Sequence, residues 1–246
     1  MKVFIASLLL VALVAVGPSN ARRIVGGQFA EEKQFPYQVA LFKRGQFMCG
    51  GSIIDERWIL TAAHCILQLN GSVLPNDALR MRVGTPHLHK EGKVLKPTKI
   101  IPHKDYVKLH YDIALIKLGE AIVFDETMQK LELYLDEVPF GTQVTISGHG
   151  KTGRNEPVSE LLKFNTMVIL EKDECTNATS RMTGIICLNN EVDNGACLAD
   201  SGSPAVYQGK QVGVANFVLH DCGTHRPDGY ASVPFFASWI KETMKN

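Results

Sequence analysis

Short apolar or alternating runs, each bounded by turn residues, dominate the chain after residue 23. The segments 35–42, 52–60, 113–118, 143–147, 162–170, 204–206 and 211–218 have the length and pattern of strands. Short strands at regular spacing restrict the chain to an all-β sandwich or barrel. Helical periodicity is convincing only at the end, where Phe235, Phe236, Trp239, Ile240 and Met244 share one face. Residues 62–66 have room for a single helical turn. No repeat, low-complexity tract or heptad interrupts this pattern. The acidic stretch 120–139 follows a completed strand and reads as the linker between two halves.

The first residues obey a different rule. Lys2 supplies a positive charge, residues 3–16 are almost wholly apolar, and small or polar residues run from Gly17 to Ala21. That is the layout of a secretory signal peptide, with cleavage after Gly17 or after Ala21 both fitting. The apolar run falls short of the roughly 20 residues that span a bilayer. Six cysteines follow: Cys49, Cys65, Cys175, Cys187, Cys197 and Cys222. An even count behind such a leader reads as three disulfides in a secreted protein, although sequence alone does not choose the pairing. No CxxC pair at finger spacing favours zinc instead. Asn70-Gly-Ser and Asn177-Ala-Thr are glycosylation sequons. A formal net charge of +1, with no basic stripe, argues against nucleic acid or an anionic membrane as partner. No acidic loop suggests calcium, and no cofactor is implied.

Three segments carry chemistry: Thr61-Ala-Ala-His64-Cys65, Asp112-Ile-Ala-Leu-Ile-Lys-Leu118, and Gly195-Ala-Cys-Leu-Ala199-Asp200-Ser201-Gly-Ser-Pro204. A serine hydroxyl is a weak nucleophile alone. It needs a neighbouring base, and the base needs an orienting group. Ser, His and Asp can fill those roles if the fold assembles them. The segments resemble the signature blocks of the trypsin/chymotrypsin serine protease family, in that family's order. Arg23-Ile-Val-Gly-Gly27 resembles its activation site. Pro36-Tyr-Gln-Val, Cys49-Gly-Gly-Ser-Ile-Ile, Trp58-Ile-Leu and the terminal Trp239-Ile agree with it too. The resemblance covers essentially residues 22–246.

It implies two six-stranded antiparallel β-barrels with a C-terminal helix and the site in the cleft between barrels. Residues 24–246 would form the peptidase, with barrels at about 24–130 and 131–233 and the helix at about 234–245. The roles it implies are those of the well-known triad. His64 takes the proton of Ser201 and later returns it to the leaving amine. Asp112 orients the imidazole, and the N–H groups of Ala199 and Ser201 form the oxyanion hole. The implied disulfides are Cys49–Cys65, Cys175–Cys187 and Cys197–Cys222, each worth roughly 3 kcal/mol in the chain-entropy model. A trypsin-like activator would cut after Arg23, and the freed Ile24 ammonium would pair with Asp200.

The chain departs from the family pattern at several points. Ala199 stands where glycine is usual. It keeps the N–H but adds a Cβ that resists the angles glycine accepts. A peptide turned away there would cost on the order of 10²–10³ in turnover, whereas a tolerated alanine would cost little. Ser203, Asn216, Phe217 and His149 replace the usual Gly, Ser, Trp and Trp. Gly195 falls at the base of the specificity pocket, where trypsins carry Asp, so a simple trypsin is not expected. Val218 should narrow the pocket. Asp228 falls on another wall, where it either attracts Lys and Arg or faces solvent. Gly at the base with Asp on the wall resembles the mixed-specificity, collagenolytic branch of arthropod serine proteases. The expectation is a secreted, monomeric endopeptidase with chymotrypsin- or elastase-like preference. Its expected partners are protein or peptide substrates, an activating protease and protein inhibitors. The alternative is a weakly active or inactive homologue that acts as a binding protein.

Overall fold

In the computed structural model, which describes residues 27–153, 155–178, 182–189, 195–219, 222–224 and 226–245, the runs assemble into two sheets. The first strand, β1 (Gln28–Phe29), lies in the first half of the sequence but joins the second sheet. The first sheet contains β2 (Gln38–Lys43), β3 (Gln46–Asp55), β4 (Trp58–Thr61), β5 (Leu79–Val83), β6 (Lys93–Leu95), β7 (Pro97–Pro102) and β8 (Ala114–Leu118). Their order is β6-β5-β2-β3-β4-β8-β7. The two ends of this path, β6 and β7, are one stretch of chain broken only at Lys96. The sheet therefore closes on itself as a barrel of six strands, which removes its edges. One helical turn, α1 (Ala63–Ile66), leaves the end of β4.

The second sheet contains β9 (Glu132–Leu133), β10 (Gln143–Gly148), β11 (Lys163–Val168), β12 (Ile185–Leu188), β13 (Pro204–Tyr207), β14 (Lys210–Val218) and β15 (Asp228–Ser232), with helix α2 (Lys172–Ala178) between β11 and β12. Its order is β1-β11-β10-β13-β14-β15-β12, with β9 parallel to β14. The Leu170 N–H donates to the Cys187 carbonyl at 2.9 Å and the Asn189 N–H to the Val168 carbonyl at 2.6 Å. These bonds join the ends of β11 and β12 and close a second six-stranded barrel, to which β1 and β9 add short pairings.

Each barrel fills its interior with aliphatic side chains, Leu41, Ile53, Leu60 and Ile116 in the first and Val144, Ile146 and Val212 in the second. Each such side chain contributes about 1.5–3 kcal/mol on full burial. The first cluster also takes in Val214, Ala231, Phe236 and Ile240, so strands of the second barrel and helix α3 (Val233–Met244) pack on it. Phe236 and Ile240 are buried as the periodicity requires. Phe235 departs from the expected face and is half exposed, its ring standing edge-on to Phe236 at 4.8 Å.

The three disulfides are Cys49–Cys65, Cys175–Cys187 and Cys197–Cys222, with S–S distances of 2.01, 2.05 and 2.06 Å. Polar bonds also cross between barrels. The Ser52 hydroxyl donates to Gln211 Oε1 at 2.7 Å. Gln38 Oε1 accepts from the Ser147 hydroxyl at 2.8 Å, while its Nε2 donates to Ser203 Oγ at 3.4 Å. Ser203 is thus used as a buried acceptor, which glycine at that position could not provide.

His149 is buried, donates from Nδ1 to the Ser159 carbonyl at 3.0 Å and meets the Phe47 ring edge-on at 5.9 Å. Burial pushes its pKa down to about 4. The fold therefore holds the neutral imidazole, and the unfolded chain takes up the proton near pH 6.5. Stability should fall as pH drops from 6.5 to 4, by about 3 kcal/mol from this group, and level off below. Urea unfolding from pH 7 to 4 should show that loss in the wild type and not in His149→Gln; equal slopes would show that no charge is being excluded.

Candidate active site

His64 sits on α1, whose four residues are too few to be stable alone. It is fixed instead by the Cys49–Cys65 bond and by Asp112. Asp112, fully buried, precedes β8 and accepts twice from one residue. Its Oδ1 takes the His64 backbone N–H at 2.8 Å, and its Oδ2 lies 2.6 Å from the ring Nδ1. A carboxylate can only accept, so the proton sits on Nδ1 and Nε2 is left as a base.

Ser201 lies between β12 and β13, where two tight turns follow one another over residues 197–203. The Asp200 N–H donates to the Cys197 carbonyl at 3.1 Å, and the Ser203 N–H to the Asp200 carbonyl at 3.0 Å. This turn belongs to the second barrel but docks on the first. The Ser201 carbonyl accepts from the Gly50 N–H at 2.8 Å and lies 3.7 Å from Cys65 Sγ, beside His64. Gly202 has φ +82°, and a Cβ there would fall 2.2 Å from Thr61 Oγ1 and 2.4 Å from the Gly50 carbonyl. Only glycine lets the Ser201 turn approach the end of β4 this closely. The fold thereby brings Ser201, His64 and Asp112 to one place. No hydrogen bond joins the Ser201 hydroxyl to the imidazole among the described residues, as is common before substrate closes such a contact.

Ala199 has φ +74°. Its Cβ has not driven the backbone out of the left-handed region, so the alanine is held in a glycine-like conformation at a cost of about 1–2 kcal/mol. Among the described residues, neither the Ala199 nor the Ser201 N–H is used in the protein's own hydrogen bonding. Asp200 is buried between them, with Oδ1 accepting from Gly150 N–H at 2.7 Å and Oδ2 from Cys197 N–H at 2.9 Å. Burial pushes its carboxyl up to about 6, against the pull of those two donors and the Lys163 ammonium. Arg23 and Ile24 lie outside the described residues.

Beside Ser201 a cavity of about 230 Å³ is lined by Ala196, Asn216, Phe217, Val218, Gly229 and Tyr230, among others. The Phe217 ring lies over Gly229. Gly195 and Asp228 are both buried and are not part of this lining. Asp228 does not face solvent: it is fully buried, and its Oδ2 accepts from the Ala196 N–H at 2.7 Å. Burial, reinforced by Asp200, pushes its pKa up to about 8. Gly50 and Gly202 lie within the quoted sequence blocks but were given no role there, and Leu109, whose carbonyl receives the Asn216 amide at 3.0 Å, was not marked by any local pattern in the sequence.

Two barrels, a cleft between them and a Ser–His–Asp grouping define a serine peptidase. The comparisons agree. The trypsin family model matches residues 24–240. The chain is similar to serine protease SP24D of Anopheles gambiae, 40% identical over 94% of this chain and 88% of the relative. It is similar to trypsin 5G1 of Aedes aegypti, 30% identical over 91% of this chain and 85% of the relative. Neuropsin, a serine protease expressed in the limbic system of mouse brain, superposes with a TM-score of 0.80 at 26% identity, covering 89% of this chain and 98% of neuropsin. The chain belongs to the trypsin family and is a serine endopeptidase.

Replacing Ala199 with glycine should release the left-handed strain. The Ala199→Gly protein is expected to gain roughly 1 kcal/mol in urea unfolding with turnover equal or higher. A fall in stability would show that alanine is at ease at this φ.

Proposed function

We propose that the protein is a secreted zymogen in which Ser201, His64 and Asp112 form the triad that hydrolyses peptide bonds through an acyl-enzyme. The observation that carries this reading is the 2.6 Å His64–Asp112 contact next to a serine turn docked on the same barrel. His64 Nε2 takes the Ser201 proton as the hydroxyl attacks the carbonyl carbon. Asp112 offsets the charge on the imidazolium. The Ala199 and Ser201 N–H groups receive the oxyanion. His64 then gives its proton to the leaving amine, and water repeats the cycle on the ester.

Residues 1–21 act as the signal peptide and 22–23 end the activation segment. The buried Asp200, raised toward neutrality by desolvation, is the natural counter-charge for an arriving Ile24 ammonium. Asn70 and Asn177 are exposed, as glycan attachment requires. Among the described residues no helix is long and apolar enough to cross a membrane. Activity should be absent before cleavage after Arg23 and present after it. A labelled fluorophosphonate should then mark Ser201, with Ser201→Ala as control. A cut but unlabelled protein would move the reading to the binding-protein alternative.

The cavity is smaller than the roughly 300–1,000 Å³ of most ligand pockets, and its walls are apolar at Val218 and Phe217. It suits aliphatic or medium hydrophobic side chains. With a pKa of about 8, Asp228 is mainly protonated at pH 7 and gains its charge only as pH climbs past 8. Cleavage after Lys or Arg, relative to cleavage after Val, should therefore rise between pH 7 and 9 in the wild type and stay flat in Asp228→Asn. A ratio independent of pH in both proteins would remove Asp228 from the specificity account.

A further inference from the structure

We propose that Asn216 is a positioning residue that ties the Asp112 segment of the first barrel to the strand holding the Ser201 turn in the second. This rests on the reading of Ser201, His64 and Asp112 as the triad.

The argument begins with a break in the β14–β15 ladder. Ala215 pairs with Tyr230 and Phe217 with Gly229, so Asn216 is left without a partner in β15. A bulge turns a side chain out of the alternation expected of a strand. Here it sends the Asn216 amide across the cleft, where Nδ2 donates to the Leu109 carbonyl at 3.0 Å. The orientation of the amide is fixed by chemistry, since reversing it would set oxygen against oxygen. Oδ1 is then buried and, among the described residues, accepts no hydrogen bond. A buried acceptor without a donor is costly, so the side chain is held there by what its other end does.

The carbonyl it meets is in a strained place. Leu109 has φ +72° and Tyr111 φ +52°, and Asp112 follows directly. Bulky side chains occupy the left-handed region only where their surroundings impose it. On one side the Tyr111 ring stacks on His103 at 5.0 Å and meets Phe236 of α3 at 5.8 Å. On the cleft side the Asn216 amide grips Leu109. The residue before Asn216 holds the other half of the site: the Gly202 N–H donates to the Ala215 carbonyl at 2.7 Å, and the Ala215 N–H to the Ser203 carbonyl at 2.9 Å. Two consecutive residues of β14 therefore fix the Ser201 turn and the approach to Asp112. Asn216 sets the distance between nucleophile and base, although among the described residues its side chain hydrogen-bonds to neither.

The test uses the full-length protein cut after Arg23. Asn216→Asp is nearly isosteric but replaces the Nδ2 donor with an acceptor that carries charge when ionised; Asn216→Ala removes the whole amide and adds no charge. Both should lower kcat at least tenfold with KM within about twofold of wild type. Leu109→Gly, which is relaxed at φ +72°, should restore part of the loss when combined with Asn216→Ala. Unchanged kcat in both single variants, or a rise in KM alone, would overturn the proposal. In parallel, the low-field proton resonance of His64 Nδ1–H reports the bond to Asp112 whether or not the protein turns over. It should shift or broaden in Asn216→Ala, which introduces no new charge. An unmoved resonance in a folded variant overturns the proposal even if the wild type proves inactive. Fluorophosphonate labelling of the wild type separately decides the triad reading.

Discussion

The hydrogen bond from the Gly50 N–H to the Ser201 carbonyl is the contact on which the site depends. It joins β3 of the first barrel to a turn of the second, and it is short only because Gly50 and Gly202 carry no side chains. A Cβ on Gly50 would fall 1.9 Å from Ser203 Oγ. Ser203 in turn is held by Gln38, and Gln38 by Ser147. The approach of the two barrels is therefore set by a few polar atoms in a buried seam, while the aliphatic interiors supply most of the stability. Hydrophobic burial is tolerant of small shifts, whereas hydrogen bonds lose strength steeply with distance and angle. A site needing tenths of an ångström is accordingly built on the second kind of interaction.

Electrostatics divides the cleft into two regions with different jobs. Around His64, Asp112 is dry and doubly bonded while the imidazole is about one-third exposed, the setting that the proposed proton transfer requires. Below Ser201 two carboxyls, Asp200 and Asp228, are buried, and each is pushed toward its neutral form chiefly by desolvation. Lys163, fully buried with its ammonium 4.7 Å from the Phe29 ring, draws Asp200 back toward ionisation. A buried acid of this kind stores free energy that an incoming cation can release. In the proposed activation that cation is a new chain terminus, which would pair with Asp200.

Much of this was legible in the sequence because it is written in contiguous residues. The segments around His64, Asp112 and Ser201, the cysteines and the terminal helix are local patterns, and the strands buried on both faces are unbroken apolar runs. What escaped is non-local or carried by polar residues. Strand β5 alternates buried Leu79, Met81 and Val83 with Arg80 and Arg82, which dilutes its apolar signal. Strands β6 and β7 are rich in lysine and proline, yet they close the first barrel because their ends meet β5 and β8. Strand β15 reads as a turn, since Pro227-Asp-Gly opens it, and becomes a strand only by lying between β14 and β12. No local rule announces Leu109 or the bulge at Asn216, since both arise from the meeting of two barrels.

The substitutions at the site make physical sense when taken together rather than as separate losses. Alanine at 199 keeps the left-handed backbone, serine at 203 gains a buried bond to Gln38, and histidine at 149 keeps an aromatic contact with Phe47 while adding one to the Ser159 carbonyl. Asparagine at 216 reaches farther than serine and finds the Leu109 carbonyl. In each case the backbone geometry of a serine peptidase is retained and a new polar contact or a small strain is added beside it. Three of them cross between the barrels: Ser203 is bonded to Gln38, Asn216 to Leu109, and His149 meets the Phe47 ring of β3, so exchanges beside the site also fasten one barrel to the other.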